Sequence, residues 1–167
     1  VGNTNAVAFA EKVLDYVCEL FPSHDIHIGG DECPRKFWAK CPRCRAFVER
    51  EGLKDAEDIQ PWLTRHLAAY LEAKGRRAIG WEEIVVGRGK ADANGESENK
   101  DGAKSSLLPG KNVLVMGYHK AAAARSANMG YQVVSCPNWH CYFDYTQQLK
   151  DDPFNYFLPD GRWLPLE

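Results

Sequence analysis

The sequence predicts an α/β fold organised on a parallel sheet. Three observations lead there. Short apolar runs recur between longer segments of helical periodicity. The runs are near-continuously apolar instead of alternating with polar residues, as in strands buried on both faces. Glycine stands at two helix-to-strand joins, Gly75 and Gly130, as αβ turns require. Together these features predict a parallel sheet covered on both faces.

Residues 4–20 carry Val7, Val13, Leu14, Val17 and Leu20 at helical spacing, with Asn3 or Thr4 as the cap. Residues 25–30 read as a short buried strand ending in two glycines. Residues 37–48 read as a helix that Gly52 stops. A further helix spans 61–74, with Pro61 in its first turn and Leu63, Leu67, Tyr70 and Leu71 on one face. Strands follow at 77–81 and 113–118, then an Ala-rich helix at 121–129 and a strand at 131–136. Between them, residues 87–110 are rich in Gly, Ser, Asn, Lys and acids, and read as a mobile surface loop. The tail after Asp151, with Pro153, Pro159 and Pro165, reads as irregular.

The bulk properties exclude several classes. The 167 residues suffice for one domain with a core, and 44% apolar with 26% charged is an ordinary globular balance. A net charge of −2, from 21 basic and 23 acidic side chains, sets up no field for nucleic acid. No stretch is long and apolar enough to span a bilayer. The chain begins at Val1 without an initiator Met, so a missing export signal says nothing of where the parent protein lives. No Gly-x-Ser-x-Gly nucleophile elbow and no phosphate-binding glycine loop is present.

The chemistry concentrates at the end of the first strand, in His27-Ile28-Gly29-Gly30-Asp31-Glu32. A strand ending this way puts two carboxylates at the carboxyl edge of the sheet, where α/β folds keep their sites. The glycines suggest close approach of a ligand to the backbone. Adjacent carboxylates repel, so one tends to hold a proton near neutral pH, as leaving-group protonation needs. A bare Asp-Glu pair is more often a helix cap beside an exposed acid. The whole string, however, resembles the His-x-Gly-Gly-Asp-Glu signature of family 20 β-N-acetylhexosaminidases. Gly80-Trp81-Glu82-Glu83-Ile84 resembles the Trp-Asp/Glu-Glu block of that family, and Cys141-Tyr142-Phe143-Asp144-Tyr145 resembles its Tyr-x-Asp block. The Cys-containing stretch after Glu32 and the wording around His140 are similar to the family's members in Bacteroides-like bacteria. One departure is Tyr118, where the family usually has a second pocket Trp.

The resemblance implies an incomplete (β/α)8 TIM barrel, strands four to seven with their helices, since a full barrel takes about 250 residues. It implies hydrolysis of terminal N-acetyl-β-hexosaminyl residues, GlcNAc or GalNAc, by a retaining, substrate-assisted route. Glu32 would be the acid/base and Asp31 the partner of the substrate acetamido group. Tyr142 would hold the acetamido carbonyl, Asp144 sugar hydroxyls, and Trp81 and Tyr118 the sugar face. His27 reads as a structural hydrogen-bonding residue. The expected partner is an N-acetylhexosamine-containing glycan, with no cofactor, no resident metal and no nucleic acid. Open sheet edges make self-association an expectation, and the parent is expected to be exported, periplasmic or cell-surface. Two other readings stay open. One is a carbohydrate-binding segment without turnover. The other is a zinc-stabilised scaffold using Cys33, Cys41, Cys44 and Cys141, although a lone Cys-x-x-Cys fits free or disulfide-bonded cysteines equally.

Overall fold

A computed structural model describes residues 1–86, 90–91, 97–98 and 107–142. Helix α1 (Thr4–Leu20) is capped by Asn3, whose side chain accepts the Asn5 N–H at 3.1 Å. It leads to β1 (Asp25–His27). The single helix expected over 37–48 is instead two. A 3₁₀ helix, Arg35–Lys40, ends at Cys41, and α2 (Pro42–Arg50) starts afresh. Proline is the cause: it disfavours helical angles in the residue before it, and Cys41 sits extended at φ −80°, ψ 118°. A 3₁₀ turn, Ala56–Asp58, opens α3 (Ile59–Glu72), which begins two residues earlier than expected. Pro61 still fits the first turn, where its missing N–H has no intrahelical partner to lose.

β2 (Arg77–Trp81) runs into a single turn, α4 (Glu83–Val86). Within the expected loop over 87–110, Lys90–Ala91 (β3) pairs antiparallel with Ser97–Glu98 (β4). β5 (Leu114–Gly117), α5 (Lys120–Asn128), β6 (Gln132–Ser135) and a short α6 (Asn138–Cys141) complete the order. The αβ joins close as the glycines suggested. Arg76 N–H reaches back to the Leu71 carbonyl at 3.0 Å, and Tyr131 N–H to that of Ser126 at 3.2 Å.

The main sheet has four parallel strands in the sequential order β1-β2-β5-β6. Its two faces differ. Gly80, Val115 and Val133 stand in register, and their face carries the core with Ile26 and Ala78. Against it pack Leu14 of α1, Ala68 and Leu71 of α3, Ile84 and Val85 of α4, and Ala122 of α5. Burying a side chain of the size of Leu71 contributes about 1.5–3 kcal/mol. On the other face lie His27 and Ile79, paired in register, and Trp81, Met116 and Val134, likewise paired. These residues are half-buried or exposed, and Val134 is 43% exposed. The helices packed on the core therefore lie on one face of the sheet. A right-handed crossover repeated in one direction puts every helix on the same side. A sheet of sequential order with helices outside is barrel-like, not doubly wound. A second apolar cluster, of Cys44, Phe47 and Ile59 with Trp38 and Trp62, holds α2 against the start of α3.

The amino ends of the strands are tied by charge. Arg77 Nε and Nη2 each lie 2.7 Å from an Asp25 oxygen, and Nη1 reaches Gln132 at 2.7 Å. One guanidinium thus bridges β1, β2 and β6. Its bidentate bond pushes the Asp25 carboxyl down to about 2. Folding lowers this pKa, so the stabilisation is complete above the ordinary carboxylate value and drains away as pH falls toward 2. Asp25→Asn should therefore cost about 1 kcal/mol at pH 7, as half-exposed pairs do, and almost nothing near pH 2. Urea unfolding at the two pH values checks this. An equal loss at both would disconnect the pair from acid stability.

Candidate active site

Polar side chains gather where the strands release the backbone at their carboxyl ends. Ile28 N–H still donates to the Ile79 carbonyl (2.8 Å) and Trp81 N–H to that of Gly29 (3.0 Å). The chain then leaves the ladder through Gly29 and Gly30, at φ 72° and 98°. A Cβ on Gly30 would lie 2.3 Å from Cγ2 of Ile84, and one on Gly80 would lie 2.8 Å from the same side chain. Gly30 thus makes room for an isoleucine and not for a ligand, contrary to the sequence expectation. At Gly29 the nearest atom to such a Cβ is Oδ1 of Asp31, at 3.8 Å.

Asp31 and Glu32 follow this turn. Glu32 has φ 49°, the only positive value at a non-glycine among the described residues. Left-handed angles cost a residue with a Cβ about 1–2 kcal/mol, and they persist where the surroundings over-determine them. Here the Glu32 N–H donates to Oε1 of Glu83 at 3.1 Å. The Gly30 carbonyl accepts from Gln60 Nε2 at 2.6 Å, and Gln60 Oε1 accepts from Arg35 Nε at 2.8 Å. Arg35 in turn pairs with Glu57 at 3.1 Å. The acidic turn is pinned from β2's far end and from the first turn of α3.

His27 and Trp81 meet edge to face with ring centres 5.3 Å apart, and Trp81 meets Tyr118 the same way at 5.4 Å. The Gly29 N–H donates to His27 Nδ1 at 3.0 Å. Desolvation holds the imidazole below its usual pKa, with the charge of Asp31 in partial opposition. An accepting, neutral ring fits a structural role.

Two acids next to Trp81 organise the rest, and sequence reading passed over them. Glu82 is 1% exposed. It accepts the Tyr118 N–H at 2.8 Å, the His119 N–H at 3.2 Å, and a bond to His119 Nδ1 at 2.8 Å. Glu83, 9% exposed, accepts the Tyr118 hydroxyl at 2.7 Å on the oxygen that holds Glu32. Its other oxygen is buried without a hydrogen-bond partner among the described residues. Burial, and then the bond and charge of Glu83, push the Tyr118 phenol far above its usual pKa, with Glu82 and Glu32 adding to the effect. Tyr118 is therefore a donor at every working pH. The available signal was their setting: two acids inside Ala78-Ile79-Gly80-Trp81-Glu82-Glu83-Ile84-Val85-Val86 must be buried, and buried carboxylates need partners. Gln60 carried no such signal, since its partner lies 30 residues away.

The structure thus joins Glu32, Trp81 and Tyr118 in one hydrogen-bonded and aromatic cluster, with Asp31 beside it. Tyr142 lies just past α6, 39% exposed, beyond the end of β6. Asp144 falls outside the described residues. Cys41 ends the 3₁₀ helix and precedes α2, and hydrogen bonds from Cys44 hold its thiol below the usual pKa. Cys18, Cys41, Cys44, Cys136 and Cys141 are free thiols, and among the described residues no three His, Cys, Asp or Glu side chains converge on a metal position.

Sequential parallel strands, helices on one face, and acids and aromatics along the carboxyl edge define a β/α-type carboxylate site. The chain belongs to glycosyl hydrolase family 20: residues 1–158 match the catalytic domain of that family. It is 34% identical over 139 residues to a β-hexosaminidase of Vibrio furnissii, covering 83% of this chain and 20% of that protein. It is 30% identical over 167 residues to one of Porphyromonas gingivalis, covering 99% of this chain and 19% of that protein. The crystal structure of a β-N-acetylhexosaminidase from Bacteroides fragilis superposes with a TM-score of 0.72 at 32% identity, over 92% of this chain and 28% of that one. The chain spans about a fifth of the length of these curated relatives.

Proposed function

We propose that residues 1–167 are part of the catalytic domain of a β-N-acetylhexosaminidase, contributing barrel strands four to seven. The relatives bearing that name and the one-sided sheet support the reading. So does the apolar stripe on the outer side of α1: Phe9, Tyr16 and Leu20 are 69%, 62% and 56% exposed. In the parent, flanking barrel elements would cover this stripe and the free edges of β1 and β6. In the isolated chain the same surfaces would promote self-association and leave the sugar site incomplete. Most of the loop expected over 87–110, at positions 87–89, 92–96 and 99–106, lies outside the described residues.

The reaction proposed is removal of terminal GlcNAc or GalNAc from glycans with retention. The observation that carries it is the Asp31-Glu32 turn at the carboxyl edge, with Glu32 held in a left-handed conformation beside Trp81 and Tyr118. Neighbouring carboxylates are poorly placed to flank a sugar about 5 Å apart, as a protein nucleophile and acid would. The substrate's acetamido oxygen would attack the anomeric carbon instead, giving an oxazolinium ion. Glu32 would protonate the departing oxygen and then deprotonate water. Asp31 would orient the acetamido N–H, Tyr142 its carbonyl, and Asp144 the sugar hydroxyls, while Trp81 and Tyr118 would face the ring. A binding scaffold without turnover has no use for a strained acid, and a zinc scaffold is not supported by the cysteine placement.

If the substrate supplies the nucleophile, a sugar without the acetamido group has none. The intact enzyme should hydrolyse 4-nitrophenyl N-acetyl-β-glucosaminide at least about 10³-fold faster than 4-nitrophenyl β-glucoside, the scale set by an oriented intramolecular group. Comparable rates would point to a protein nucleophile and overturn the mechanism.

A further inference from the structure

Glu83 touches both sides of the site. Its Oε1 receives the backbone N–H of Glu32 from the end of β1 and the hydroxyl of Tyr118 from the end of β5. Neither neighbour could hold its place as well alone. Glu32 carries a backbone angle that few non-glycine residues adopt, and its own N–H is the group Glu83 holds. Tyr118 is anchored at its main chain by Glu82 and at its hydroxyl by Glu83, so the two acids clamp one residue from opposite ends. Glu83 itself is fixed by α4, whose next residues Ile84 and Val85 are buried in the core. The rigid interior is thereby connected to the acid's backbone through one carboxylate.

We propose that Glu83 is a positioning residue for the acid/base step: it sets the backbone of Glu32 so that its carboxyl reaches the glycosidic oxygen, and it couples that setting to Tyr118. The inference rests on the assignment of Glu32 as the acid. Displacing a reacting group by about an ångström costs on the order of 100-fold in rate. Up to leaving-group departure, which kcat/KM reads, that loss falls only on substrates whose leaving group must be protonated; the later activation of water is common to all of them. A residue that merely stabilised the fold would lower all substrates together.

The test compares two substrates in the intact enzyme: a β-linked N-acetylglucosamine disaccharide, with a poor leaving group, and 4-nitrophenyl N-acetyl-β-glucosaminide, whose phenolate departs with little help. Glu83→Ala should lower kcat/KM on the disaccharide roughly 100-fold and on the aryl substrate less than about 5-fold. Glu83→Asp, which shortens the reach while keeping the charge, should show the same split at roughly 10-fold. Glu83→Gln, which keeps an accepting oxygen, should stay within about 5-fold on both. If the alanine variant does not fold, the split in the aspartate variant decides. Equal losses on both substrates, or none, overturn the proposal. Glu32→Gln serves as the reference. If it shows no split, the acid assignment falls. If it does and the Glu83 variants do not, only the positioning role falls.

Discussion

Glu32→Gln in the intact enzyme should abolish turnover of glycans while leaving the fold unchanged. The substitution keeps the side chain's size and leaves the backbone N–H to Glu83 in place. Thermal unfolding should therefore shift by no more than about a degree. A glutamine cannot donate a proton to a departing sugar oxygen. General acid catalysis is worth about 10²–10⁴-fold, and poor leaving groups depend on it most. The expected loss on a disaccharide is thus roughly 10³-fold or more, with a much smaller loss on a nitrophenyl glycoside. Near-wild-type hydrolysis of the disaccharide would remove Glu32 from the acid role.

Much of the site was readable because its chemistry lies in short contiguous strings. Gly29-Gly30-Asp31-Glu32 and Trp81-Glu82-Glu83 each sit at the end of a strand whose apolar run is plain, so their edge of the sheet follows from topology alone. The wiring between the strings was not readable. Glu83 reaches Glu32 across 51 positions, and Gln60 reaches Gly30 across 30. Side-chain bonds of that range leave no periodicity. The purpose of Gly30 was also misread. Glycine before an acidic pair suggested room for a ligand, but the neighbour that needs the room is Ile84. In the fold, strand positions survived because β-branched apolar runs mark them well. The helix over 37–48 did not, because Cys41-Pro42 breaks it while the apolar spacing continues through. What covers each face was likewise invisible: apolar runs mark burial without saying which layer supplies it. Both ends of the sheet follow one division. The amino end, with Asp25 and Arg77, satisfies its charges within the chain. The carboxyl end leaves one Glu83 oxygen without a partner among the described residues and holds Glu32 in strain.

Gly30→Ala should be severely damaging. Two costs add. The residue sits at φ 98°, outside even the left-handed basin, where an L side chain costs about 1–3 kcal/mol. The new Cβ would also fall 2.3 Å from Cγ2 of Ile84. Ile84 cannot retreat easily, because it is 2% exposed and already confined against Gly80. Overpacking of this kind costs about 1–3 kcal/mol more. A total near 3–4 kcal/mol would lower the melting temperature by roughly 6–16 °C at about 2–4 °C per kcal/mol. The two costs separate in a double-mutant cycle. Ile84→Ala alone should cost about 2–5 kcal/mol through its cavity. Combined with Gly30→Ala it should cost clearly less than the sum, by about 1–2 kcal/mol, because the added methyl enters the vacated space. The backbone strain would remain, and with it a displaced Glu32, so the double variant should regain stability relative to the additive sum without regaining disaccharide hydrolysis. Strict additivity in urea unfolding would show that the methyl and Ile84 do not collide. Recovery of activity along with stability would show that the turn tolerates a side chain and that Ile84 alone required the glycine.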